Sequence, residues 1–223
     1  MLLPCSYQQL LDAGIYTEEV DQIRAGTNRG TPYVRGVVER SHAGVLLERA
    51  EQGLRGETLL TAAAEAILAG RVLAEASKEL LDDLHVWAIM ARWPSFDPHR
   101  NWEGDETPPE PEAFLHQRLR ELGVVRDEDL MLLEPDDLRP QLPKILKAYR
   151  YDIESMGEDF PRIWEHQGHR YHCRVNPIRR TVILEPADKA TARADDPKAR
   201  FVPRFRGFDV HYRNASRRVP LRS

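Results

Sequence analysis

Apolar residues keep two different periods along this 223-residue chain, and the switch between them constrains the fold more than any other feature. Over 57–92, Leu60, Ala63, Ala64 and Ile67 recur at helical spacing. After Gly70, Leu73, Leu80, Leu84, Trp87 and Ala91 do the same until Pro94 stops the pattern. Around HRYHCRV the period is two. His169, Tyr171, Cys173 and Val175 share one face of a strand there, and Arg170, His172 and Arg174 share the other. Helices set between two β pieces define an α+β protein, with a small N-terminal strand pair, a central helical bundle and a C-terminal antiparallel basic sheet.

Turn residues place the boundaries. Residues 1–56 form an N-terminal region, 57–157 a helical region and 158–223 a β-rich module with a mobile, linker-like segment at 188–200. In the first, YQQLLDAGIYTEEVDQIRAG reads as one or two short helices and TNRGTP as a turn. The two β-branched runs of YVRGVVERSHAGVLLERAEQ read as a hairpin across SHAG, with Gly36 marking a bulge or a close backbone approach. In the second, 57–92 reads as two helices or one helix bent near Gly70. Residues 93–112 read as a loop rich in Pro and acid, and 112–122 as a helix whose Gly123 takes the left-handed cap. A short helix and a turn over 127–139 and a helix over 142–156 complete that region. The last module reads as strands PRIWEH, HRYHCRV and RTVILEP, followed by a hairpin across NASR.

Charge is divided unevenly. Residues 162–223 carry fifteen Lys and Arg against six Asp and Glu, an excess of +9, whereas residues 1–161 carry seventeen against thirty, or −13, giving the net −4. A basic end of this kind meets an anion or docks on an acidic surface. Arg162, Arg170, Arg174, Arg179 and Arg180 recur in the expected sheet. Arg204, Arg206, Arg213, Arg217 and Arg218 recur in the tail, and Trp164, Tyr171, Phe205 and Tyr212 are interleaved. Guanidinium forks bind phosphate oxygens and aromatic faces stack unpaired bases, so the ten arginines with Trp164 and Tyr212 form the candidate nucleic-acid-binding set. The alternative for the aromatics, Tyr171 above all, is a place in the core beneath the sheet.

Other chemistries find little support. No phosphate-cradling GxxxxGK[ST], GxGxxG after a strand, GxSxG elbow or HExxH helix occurs. His166, His169, His172 and Cys173 tempt as a zinc site, but His169 and His172 leave a regular strand on opposite faces, and His169 lies roughly 13 Å from Cys173 at strand rise. The expected metal and cofactor complement is therefore none, and no residue is assigned catalysis. Two cysteines make no disulfide framework, and no stretch is apolar and long enough for a membrane helix, so the expected compartment is the cytoplasm.

Taken in order, GVVERSHAGVLLERAEQGLRGETLLTAAAEAILAG, EASKELLDDLHVWAIMARWPSFDP and the stretch from FLHQRLREL to RRTVILEP resemble the region after the motor in HrpB-type ATP-dependent helicases of the DEAH-box class. The resemblance spans about residues 34–186 and is one of pattern and order; the basic tail 188–223 stands where that family has a different ending. It implies a helicase-associated accessory module without the motor domains. Such a module has no catalytic residues of its own, and its partners are RNA or single-stranded nucleic acid together with a helicase motor or another protein. Charge alone also allows a protein–protein adaptor with an acidic helical surface and a basic sheet surface, and the histidine-rich strand leaves an enzyme as a third reading.

Without a phosphate-cradling loop the purified chain should not hydrolyse ATP. Phosphate release, with and without RNA, should stay far below the roughly 1–100 s⁻¹ of phosphoryl-transfer kinases, and turnover within that range would overturn the reading.

Overall fold

The computed structural model describes residues 5–93, 107–140 and 150–222. The chain is α+β and divides into two compact units, Met1–Lys78 with Glu110–Arg139 and Glu79–Pro109 with Pro140–Ser223. Residues 94–106, with Trp102, and 141–149, which hold most of the expected helix 142–156, lie outside the described residues.

In the first unit a short helix α1 (Tyr7–Asp12) precedes a three-stranded antiparallel meander of β1 (Thr17–Asn28), β2 (Thr31–His42) and β3 (Val45–Gly53). The expected strand pair is β2 and β3; β1 joins it where a helix was expected. The reason lies in the register. Val20 and Ile23 are three apart, which mimics helical spacing, but a bulge between Val20 and Gln22 puts both on one face, opposite Val38 and Gly36. Two-residue turns at Arg29-Gly30 and Ala43-Gly44 have positive φ at both positions, the conformation that matches strand twist. Gly36 is a close approach rather than a bulge, because a Cβ there would lie 2.6 Å from Leu54 Cδ2.

Helix α2 (Gly56–Leu68) follows. Leu59, Leu60, Ala62, Ala63, Ala64, Ala66 and Ile67 are all buried, so this helix is enclosed on nearly every side. Gly70 N donates to Ile67 O and Arg71 N to Ala66 O, a Schellman ending that separates α2 from α3 (Ala74–Arg92). The same pair of bonds at Gly123 and Val124 closes α4 (Pro111–Glu121). Two 3-10 turns, Asp127–Leu132 and Pro135–Leu138, complete the unit and bury Leu130 and Leu138.

The second unit holds most of α3, helix α5 (Arg150–Asp159) and a five-stranded sheet: β4 (Ile163–His166), β5 (His169–Asn176), β6 (Thr181–Pro186), β7 (Asp209–Asn214) and β8 (Arg217–Arg222), in that spatial order. Only β6 and β7 run parallel. Their connection contains the segment expected as a linker. It is built as a crossover, with α6 (Lys189–Arg193) capped by Asp188, whose Oδ1 accepts from Thr191 N at 2.7 Å, and with Thr191, Val202 and Phe205 buried. Aromatic rings fill the core of this unit. Phe160 lies 5.0 Å from Phe208 and 5.7 Å from Trp93, centroid to centroid, and Trp164 stacks on Tyr171 at 5.1 Å.

Helix α3 is tied to this unit by two polar contacts. Arg162 Nε donates to Asp82 Oδ1 at 2.8 Å, and His85 Nε2 lies 3.1 Å from the carbonyl oxygen of Phe160. A carbonyl only accepts, so His85 is the donor through its Nε2–H. Burial pushes the imidazole pKa down to about 4, the bond to Phe160 opposing and the charges of Arg162 and Asp82 acting in opposite directions. The unfolded chain takes up this proton near pH 6.5, the folded one near 4. The stabilising contribution of neutral His85 is therefore complete above pH 6.5 and lost as pH falls to 4, a change of about 3 kcal/mol. His85→Gln keeps a donor but removes the titration. Denaturant midpoints at pH 7 and pH 4.5 should differ clearly less for this variant than for the native chain, and equal differences would refute the assignment.

Candidate nucleic-acid interface

Alternation along β5 decides what the C-terminal sheet shows to solvent. Tyr171 and Cys173 are buried, while Arg170, His172 and Arg174 are exposed, the division expected from the sequence. Pairing extends the outer face across the sheet. His172 stands opposite Ile163 of β4 and Glu185 of β6, and Arg213 of β7 stands opposite Arg218 of β8. Arg170 pairs with Glu165 at 2.9 Å across β4 and β5.

Glu185 organises the centre of this face. Its carboxylate accepts from both Arg174 and Arg213, one on each neighbouring strand, and its side chain is only 15% exposed. Burial alone would raise its pKa. The hydrogen bonds from Arg213 and Arg174, with their charges, outweigh that and hold the carboxyl below its usual value. One carboxylate between two guanidiniums leaves a surplus positive charge and spare N–H donors, since each guanidinium carries five. Arg174, Glu185, Arg213 and Arg218 thus form a strip over four strands, roughly 14 Å long at ~4.8 Å per strand. His172 lies within it and is kept below its ordinary pKa first by burial and then by the charges of Arg162 and Arg174.

Apart from Arg170, which shares the outer face and pairs with Glu165, the remaining candidate arginines are elsewhere. Arg162 is taken by Asp82 and Arg206 by Asp159 and Ser155, so both serve packing beside helices α3 and α5. Arg217 pairs with Asp196 of the crossover at 2.7 Å. Arg180 lies over the Phe208 ring at 5.4 Å, and Arg179 and Arg204 are exposed without an ion pair among the described residues. Neither aromatic candidate is available to a base. Trp164 is 9% exposed and sandwiched between Tyr171 and His166, and Tyr212 is 1% exposed. Both occupy the inward half of the alternation that turns the arginines outward. Sequence reasoning also missed Glu185 as the organiser; its only signal was a single acid ending the apolar run TVILEP.

The histidine cluster disperses in the same way. Cys173 is in the core, its thiol pushed up to about 12 by burial, while His172 is on the open face. Among the described residues no three His, Cys, Asp or Glu side chains are placed to hold a metal ion, and no helix is long and apolar enough to cross a membrane. Comparison of the chain with family models, curated proteins and solved structures gives no match.

Among the described residues two buried side-chain atoms lack a hydrogen-bond partner, His166 Nε2 and Tyr212 Oη. Tyr212 Oη is left without a partner while the neighbouring Asn214 amide donates to Ala192 O at 2.8 Å, and burial raises the phenol above its ordinary pKa, with Asn214 acting in the opposite direction. Tyr212→Phe removes an orphaned hydroxyl and keeps the ring. Its denaturant midpoint should be unchanged or higher, by up to about 1–3 kcal/mol at constant m-value; a lower midpoint would show that the hydroxyl is bonded.

Proposed function

We propose that this chain is a nucleic-acid-associated accessory module that binds RNA or other single-stranded nucleic acid through the open face of its C-terminal sheet. The observation that supports the reading is the strip of Arg174, Arg213 and Arg218 around the single carboxylate of Glu185. Guanidiniums held by a shared carboxylate keep donors free and lose less side-chain entropy when a phosphate arrives. With the aromatic rings buried, binding rests on phosphates rather than on stacked bases, so affinity is modest and sequence preference low. The resemblance to the region after a helicase motor agrees with this role, and the proposal gives the chain no catalysis of its own. A protein–protein adaptor is the second reading. It is favoured by exposed Val125, Met131 and Leu132 beside Glu128, Glu134 and Asp136 in the first unit.

Titration of a labelled single-stranded RNA at several salt concentrations tests the proposal. The logarithm of affinity should fall linearly with the logarithm of salt, by about 0.7 per phosphate contact. Arg174→Ala with Arg218→Ala should flatten the slope by about 1.4, leaving Arg213 to satisfy Glu185. Arg206→Ala, on the packed side, should leave it unchanged. Absence of binding at low salt, or an unaltered slope in the double variant, would transfer the basic face to protein partners.

A further inference from the structure

A cavity of about 640 Å³ opens in the first unit, between the end of β3 and the turn that follows α4. Its size is within the range of small-molecule sites. Arg55 and Arg126 both line it, and an isolated antiparallel bridge sets their backbones directly opposite each other. Directly opposed residues of a bridge have Cβ atoms about 4.5–5.5 Å apart, and like charges there are destabilising.

Elsewhere in this unit most facing charges are matched, with Glu19 opposite Glu39 the exception in which only Glu39 has an ion pair among the described residues. Arg40 stands opposite Glu18 and Glu48 and bonds both, at 2.9 and 2.7 Å. Arg24 and Arg35 also face each other, but Glu51 lies 3.0 Å from the first and 3.9 Å from the second. Between Arg55 and Arg126 there is no such carboxylate. Arg55 makes no ion pair among the described residues. Arg126, with its side chain 63% exposed, has only Asp129 at 4.0 Å, and that carboxylate already accepts from Val125 N and Arg126 N. Glu18, Glu51 and Asp127 of the lining are taken by other arginines, so among the described residues unpaired Arg55 and Arg126, with one long ion pair outside the lining, meet one carboxylate of the lining without an ion pair, Glu128.

We infer that this cavity binds a small phosphate ester, with its phosphate on Arg55 and Arg126. Two adjacent forks present donors to several phosphate oxygens, and the arriving charge relieves their mutual repulsion. The Thr58 hydroxyl, on the same wall, adds a neutral donor or acceptor. Farther along the lining, the carboxylates of Glu18 and Glu51 accept hydrogen bonds, while Val20 and Leu54 supply apolar surface. A ligand that is anionic at one end and rich in hydroxyl or amino donors at the other, such as a nucleoside monophosphate or a sugar phosphate, matches that polarity. The site is separate from the open face of the C-terminal sheet and stands whether or not that face binds RNA.

Melting temperatures of the full chain with inorganic pyrophosphate, adenosine monophosphate or adenosine test the inference. The two phosphates should raise the melting temperature in a saturable way and adenosine should not. Arg55→Ala and Arg126→Ala should each weaken the apparent affinity roughly tenfold or more, the effect of a lost charge-assisted hydrogen bond. Both side chains are exposed, so these variants should fold, and without ligand each should melt no lower than the native chain because repulsion is removed. Arg174→Ala with Arg218→Ala should keep the response to both phosphates. No stabilisation of the native chain, or an equal response in the Arg55→Ala, Arg126→Ala double variant, would overturn the site.

Discussion

The rings of Trp164, Tyr171, Phe208 and Tyr212 in the core beneath the C-terminal sheet fix its register. A slip of one residue along β5 would turn Tyr171 and Cys173 into water and drive Arg170, His172 and Arg174 into an apolar interior. Burial of a single unpaired guanidinium costs more than most single contacts contribute, so the alternation is strongly enforced. The outer face inherits its composition from this constraint. What sequence placed on alternate positions, the dry core holds there.

At two places charge is handled by sharing a carboxylate rather than by one-to-one neutralisation. Glu185 serves two arginines on neighbouring strands, and Glu51 in the first unit stands between Arg24 and Arg35. A shared carboxylate orders two long side chains at once and leaves their combined charge positive. Two of the thirteen arginines of residues 158–223, Arg174 and Arg213, are held in this way. Arg162, Arg206 and Arg217 hold helices and the crossover, and the strip around Glu185 keeps donors to spare.

Much of the local structure was legible. The period switch gave the fold class, the SHAG, QG, NPIR and NASR turns gave four strand connections, Gly123 gave a helix end, and Gly70 marked a break readable either as two helices or as one bent helix. Strand β1 was hidden because its bulge changes the parity of Val20 and Ile23. The parallel pairing of β6 with β7 was hidden because the crossover between them is polar and anchors itself through a few residues, Thr191, Val202 and Phe205. For the candidate interface, alternation correctly separated outward arginines from inward ones on β5. Which carboxylate each arginine meets was not readable, since the partners of Arg174, Arg213, Arg206 and Arg162 are 11, 28, 47 and 80 residues away. Trp164 and Tyr212 belonged to the core for the same reason that Tyr171 did.

The bulge in β1 has a further effect at the margin of its sheet. An edge strand presents unpaired backbone groups on which another chain can build. In β1 the regular ladder breaks between Val20 and Gln22, and Glu18, Glu19 and Asp21 crowd the same stretch. The second sheet is guarded differently, by the four-residue length of β4 on one side and by Pro220 among the arginines of β8 on the other. Growth by strand addition is disfavoured at these three edges; the fourth, β3, carries alternating charge at Glu48, Arg49 and Glu51. A macromolecule that meets these guarded edges engages side chains, where recognition can be tuned one substitution at a time, rather than backbone.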